Sequence, residues 1–171
     1  MNYFRESIKS GLNEYDLILK KSLDSLSDEE LIWKPNPHSN NIIFLFWHMI
    51  LVEDNLINTV LLENENMWIK EKYYKDFPHL KNQIGFGFSQ NELNNFPEMK
   101  LSWLMNYYNS LRKITNKFLE DTNDEALSKN YIFFGKKNVT GFFVVGRLVT
   151  ELSQHLGQIS YIRGMIRGLN K

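Results

Sequence analysis

Four long segments of this chain place apolar residues at helical spacing, and that pattern limits the fold more than any other feature. Ile8, Leu12, Tyr15 and Leu19 mark a predicted helix from about Tyr3 to Leu26. Leu45, His48, Val52, Asn55 and Thr59 mark a second, from about Asn40 to Leu62. Leu104, Tyr107, Leu111, Ile114 and Phe118 define a third, from about Pro97 to Leu119. Leu148, Leu152, His155, Ile159, Ile162 and Ile166 define a fourth, from about Thr140 to Gly168. Helices of this length and number predict an all-α fold, a four-helix bundle with a long crossover between helices 2 and 3. We expect one domain over residues 1–171, because 171 residues suffice for one sizeable core and no shift in composition marks a boundary.

The crossover, from Glu63 to Phe96, is rich in Asn, Lys and aromatic residues, with Gly85-Phe-Gly in its middle. Trp68, Tyr73, Tyr74, Phe77, Phe86 and Phe88 are candidates for burial, so short helical turns are expected here rather than a disordered linker. Strand signals are scarce, Tyr131-Ile-Phe-Phe being the best. A faint repeat relates Leu23–Leu31 to Leu119–Leu127. Ser27 with Glu30, and Thr122 with Glu125, each fit a helix N-cap followed by Glu at the third helical position. The repeat suggests two helix pairs related by a pseudo-two-fold axis, with the second and fourth helices in comparable places.

Charge and composition exclude several functions. Lys and Arg together number 20, as do Asp and Glu, so no global field draws the chain to nucleic acid or an anionic membrane. The chain has no cysteine, which removes disulfides, thiolate metal ligands and a cysteine nucleophile. The opening MNYFRESIKSGLNEYDLI lacks a basic start followed by an apolar run, so no signal peptide is expected. The apolar run Ile42 to Val52 is much shorter than the roughly 20 residues that span a bilayer. We therefore expect a soluble, cytoplasmic protein with neither a membrane nor a nucleic-acid partner.

In Thr150-Glu-Leu-Ser-Gln-His-Leu-Gly-Gln-Ile159 a carboxylate, Glu151, stands one helical turn before His155. Both fall on a stripe with Leu148 and Ile162, and His48 falls on the apolar stripe of the second helix. Such groups are costly to bury unless they have partners. Two imidazoles and a carboxylate from two inward faces can converge on one divalent metal. The plainer alternative is a polar core contact between Glu151 and His155. His38, in a turn-rich loop, and His79, after Pro78, are expected at the surface. Glu53 and Asp54 are expected on a solvated rim, whereas Asn55 and Gln158 are better placed to line a pocket.

Three stretches carry a family resemblance: Leu26-Ser-Asp-Glu-Glu-Leu-Ile-Trp-Lys-Pro-Asn-Pro, Asn41-Ile-Ile-Phe-Leu-Phe-Trp-His-Met-Ile and His155-Leu-Gly-Gln-Ile-Ser-Tyr-Ile-Arg-Gly164. On these the chain resembles the DinB-like superfamily of four-helix bundles, including its YfiT-type branch. Members of that family hold a divalent metal through one histidine of the second helix and two histidines, four apart, on the last. His48 matches the first position and His155 the last. Glu151 stands where the middle histidine is usual, which implies a site of two histidines and one carboxylate.

Three protein ligands leave a coordination position open, as in catalytic sites. Zinc, nickel, manganese and iron(II) all suit this donor set. Characterised relatives include S-transferases and isomerases that use a low-molecular-weight thiol. The resemblance therefore implies transfer of such a thiol to an electrophilic small-molecule substrate. A metal-dependent hydrolase and a non-catalytic, stress-associated ligand-binding bundle are the alternatives. Relatives are often homodimers, and Phe142, Phe143 and Tyr161 are candidates for the partner surface.

Overall fold

A computed structural model of the chain describes residues 3–134 and 137–168; residues 1–2, 135–136 and 169–171, which the one-domain expectation includes, lie outside the described residues. Helix α1 (Tyr3–Leu23) is amphipathic and buries Leu12, Tyr15, Leu19 and Leu23. A short α2 (Asp28–Ile32) begins at the capping box expected at Ser27: its hydroxyl accepts from Glu30 N–H at 3.3 Å, and Ser27 N–H donates to Glu30 Oε2 at 2.7 Å. Asn41 caps α3 (Ile42–Asp54) by accepting from Phe44 N–H at 2.8 Å. Every residue of α3 is buried, so it shows no polar face at all. The helix does not continue to Leu62 as an α-helix. It widens into a π-helical segment, Asn55–Leu61, whose end is closed by Leu62 N–H on Ile57 O.

The crossover contains α4 (Met67–Lys70), two 3₁₀ turns (Tyr73–Asp76 and Pro78–Leu80) and α5 (Gln90–Asn94). It is held by aromatic contacts, as its composition suggests. Trp68 packs against Trp47, Trp103 and Tyr107, and Tyr73 stacks on Tyr107 at 4.3 Å. Phe88 lies against Phe44 and Trp47. Phe86 departs from expectation: at 85% exposure it projects from the crossover instead of packing into it.

Helix α6 (Leu101–Asp121) is followed by α7 (Asp124–Ser128), an antiparallel hairpin of β1 (Asn130–Phe133) and β2 (Lys137–Thr140), and α8 (Gly141–Arg167). The cap of α7 is Asn123, which accepts from Ala126 N–H at 2.9 Å, not Thr122. Thr122 instead closes α6 through its N–H on Phe118 O, so its backbone still belongs to the preceding helix.

The long helices form a closed ring. α3 packs against α8, α8 against α1, α1 against α6, and α6 against α3. The short helices α2 and α7 dock on α3 and α8, the long helix that each precedes. This is an all-α four-helix bundle with a long crossover between its second and third long helices. The segment Ile42–Leu61 is long and apolar enough to cross a bilayer, yet 89% of its most apolar window is buried inside the fold.

Glu53 and Asp54 are not on a rim; both are fully buried. Glu53 Oε1 accepts from Arg112 Nη1 at 3.0 Å and from Thr115 Oγ1 at 2.6 Å, both on α6. Asp54 accepts from Met67 and Trp68 N–H at 3.0 Å each, from Asn58 Nδ2 at 2.7 Å and from the Tyr107 hydroxyl. It thereby ties the start of the crossover to the end of α3. Burial raises both carboxyl pKa values, and these donors pull them back down.

Candidate metal centre

The three residues singled out in the sequence meet. One ligand atom from each of His48, Glu151 and His155 lies within 4.8 Å of the others. Donors that share a tetrahedral ion at roughly 2.1 Å sit about 3.4 Å apart, so small side-chain rotations close the set on one ion. His48 comes from α3 and is 7% exposed. Glu151 and His155, one turn apart on α8, have side chains 13% exposed. They line the edge of the α3–α8 interface rather than the deep core filled by Leu148, Leu152 and Ile159.

The hydrogen bonds around the rings set their tautomers. His48 Nδ1 contacts the carbonyl oxygen of Ile84. A carbonyl only accepts, so Nδ1 carries the proton and Nε2 keeps its lone pair. His155 Nδ1 lies 2.7 Å from Gln158 Oε1, which arranges that ring in the same way. His155 Nε2 then faces Glu151 Oε2 at 3.2 Å. A lone pair and an ionised carboxylate oxygen at that distance require a cation between them; otherwise Nε2 carries the proton and donates it to Glu151. Burial lowers the His48 pKa, the Ile84 contact raises it, and the neighbouring His155 lowers it further. His48 is thereby kept neutral, the form that binds metal.

Several supports of this centre lie outside the sequence expectation. Arg147, one turn before Glu151, pairs with its Oε1. The i, i+4 spacing is readable in the sequence, but Arg147 looks there like an ordinary solvated helix cation. Ile84 contributes only a backbone oxygen, which no side-chain motif reveals. Gly85 lets it approach: its φ is +82°, and a Cβ there would lie 2.9 Å from Trp47 Cζ3 and 3.2 Å from His48 Nδ1. Gln158 is expected to line a pocket and does border a groove beside Tyr161 and Met165, but its contact that matters here is with His155. Asn55 does not line the cleft. Its Nδ2 bonds Leu51 O at 2.7 Å and its Oδ1 accepts from Asn66 Nδ2 at 3.2 Å, bracing the π-helical segment.

His48 and Glu151 open onto a cleft of about 390 Å³. Val52 and Leu56 form one wall, Ile84 and Phe86 another, and Phe133 and Phe134 of the hairpin a third, with Arg147 at the side. The hairpin reaches this place because it packs on both α8 and the π-helical segment. The cleft has the size and apolar lining of a small-molecule site. His38 and His79 are exposed and take no part, as expected. Phe142 packs edge-on against Phe4 and Phe143 against Phe133, while Tyr161 is 69% exposed.

The family model of the DinB superfamily matches residues 18–159 of this chain. In structure the chain is similar to a crystal structure of a conserved protein from Enterococcus faecalis, with a TM-score of 0.83 at 19% sequence identity, covering 98% of this chain and 99% of that one. That likeness is one of fold. No curated protein matches the chain significantly.

Proposed function

The chain belongs to the DinB superfamily, and from that premise we propose that His48, Glu151 and His155 hold one divalent metal ion in a site that acts on a small molecule. The observation that carries this reading is the facing of the His155 Nε2 lone pair and the Glu151 carboxylate at 3.2 Å, beside a second imidazole whose Nδ1 is already engaged. Zinc, nickel, manganese and iron(II) all accept two imidazoles and a carboxylate. A divalent ion held by these three residues would supply Lewis acidity toward a thiol or water. The protein's own residues divide the remaining work. Ile84 and Gln158 hold the rings, Arg147 orients the carboxylate, and the apolar cleft keeps bulk water from a bound substrate. Family resemblance favours transfer of a low-molecular-weight thiol to an electrophile in the cleft.

One observation favours a second, non-catalytic reading. Glu151 already has a charged partner in Arg147, and a His155 with its proton on Nε2 would complete a polar contact with no metal. Metal analysis of protein purified without an affinity tag separates the two. We expect one divalent ion per chain after reconstitution, with raised thermal stability that a chelator reverses. A protein whose unfolding ignores zinc, nickel, manganese and iron(II) alike overturns the metal centre. Thiol binding to the loaded protein, measured beside it, decides between thiol transfer and hydrolysis.

A further inference from the structure

We infer that the cleft takes an amphiphilic carboxylate: an acid group on Arg147, beside the metal centre, and an aromatic or branched apolar body against Phe86, Phe133 and Phe134. The inference rests on the metal-centre reading, because it uses the charge the ion would bring.

Arg147 is the only cation lining the cleft among the described residues. Its side chain is 41% exposed and pairs with Glu151 through Nη2. A guanidinium has five N–H donors, so one such pair leaves an edge for a second anion. The Arg147 guanidinium and the Glu151 carboxylate it pairs with cancel. A divalent ion on the carboxylate leaves the lining with a net charge of two positive units, which selects an anion. A planar carboxylate matches the fork of the guanidinium, where a neutral amide satisfies it less well.

The rest of the lining selects the body of the ligand. Val52, Leu56 and Ile84 provide no side-chain hydrogen-bonding group, and three phenylalanine rings stand around the opening. Phe86 is 85% exposed and Phe134 48% exposed, an arrangement that leaves aromatic surface in water until something covers it. A volume of about 390 Å³ suits one ring with a short side chain.

The test uses 4-phenylbutyrate and its neutral amide, 4-phenylbutyramide, titrated by calorimetry into the zinc-loaded protein. The acid should bind at least tenfold more tightly than the amide. Compared at saturating zinc, with loading of each variant measured first, Arg147→Gln should bring the two within about twofold, and Arg147→Lys should keep part of the preference. Phe86→Ser, at an exposed position that folding does not need, should weaken both probes together. Equal binding of acid and amide by the zinc-loaded parent overturns the inference alone. So does an acid preference that survives Arg147→Gln, since the metal and not the arginine would then hold the acid. A parent protein that takes up no zinc overturns the metal centre and this inference with it.

Discussion

The imidazole rings of His48 and His155 meet edge to face, with centroids 4.8 Å apart and planes at 87°. They come from α3 and α8, which pack against each other, and neither ring uses its Nδ1 toward the other. This contact makes His48 the test of the centre. His48→Ala should abolish stoichiometric binding of a divalent ion. Equilibrium dialysis with zinc checks it, and unchanged affinity would remove His48 from the site.

Glu151→His makes a three-histidine set, the arrangement that the family resemblance implies. We expect it to retain a metal ion and to titrate a bound thiol at lower pH, because the ion then keeps one more unit of positive charge. Without a metal, the variant sets imidazoles together that repel once protonated, below about pH 6.5. Unfolding with zinc and with a chelator, at pH 6 and pH 8, separates the two. Equal destabilisation in all four conditions contradicts a ligand role for this position.

Gln158→Leu keeps helix α8 and removes the oxygen 2.7 Å from His155 Nδ1. Loss of such an outer partner typically weakens metal affinity by about 10–100-fold. Competition against a chromogenic chelator measures it. An affinity within twofold of the parent would show that His155 needs no such partner.

Gly85→Ala introduces a Cβ 2.9 Å from the Trp47 ring at a backbone φ of +82°. The left-handed conformation alone costs about 1–2 kcal/mol for a residue with a side chain. The Ile84 carbonyl should move with it and loosen His48. Lower thermal stability together with weaker zinc binding is expected; a loss of stability with unchanged zinc affinity would separate Ile84 from the metal centre.

Arg112→Met leaves the buried Glu53 carboxylate with Thr115 as its remaining donor. Breaking a buried pair in this way costs about 3–5 kcal/mol. The Glu53 pKa is already raised by burial, with Arg112 the first of the influences holding it down. Without Arg112 it rises further. The sign follows: an acid with a raised folded pKa contributes stability below its unfolded value, lost as pH climbs through the folded value. The variant should therefore be nearer to the parent at pH 4.5 than at pH 8. A penalty independent of pH would mean that Glu53 does not titrate in this range and that the loss comes from packing around the new methionine side chain.

How much of the molecule is legible in the sequence follows from the range of each interaction. Apolar spacing along Leu12–Tyr15–Leu19 or Leu104–Leu111–Phe118 is a local property, so the four long helices and the bundle they form can be read directly. The i, i+4 placement of Glu151 and His155 is local too, and His48 stands out as an imidazole in an apolar run. Glu53 and Asp54 defeat the expectation of a solvated rim because donors distant in the chain reach them: Arg112 and Thr115 lie 59 and 62 residues from Glu53, and Tyr107 lies 53 from Asp54, with Asn58 the one local donor among those named. A carboxylate shows nothing of such donors in its own neighbourhood, and without them it belongs in water. The same holds for the Ile84 carbonyl, the outward Phe86 and the hairpin phenylalanines that wall the cleft. Sequence by itself determined which helices form and which candidate ligands they carry, because periodicity acts over a few turns. Only the tertiary structure decided which polar groups are buried and what surrounds His48, Glu151 and His155, because burial and hydrogen-bond partnership depend on segments that meet only when the bundle closes.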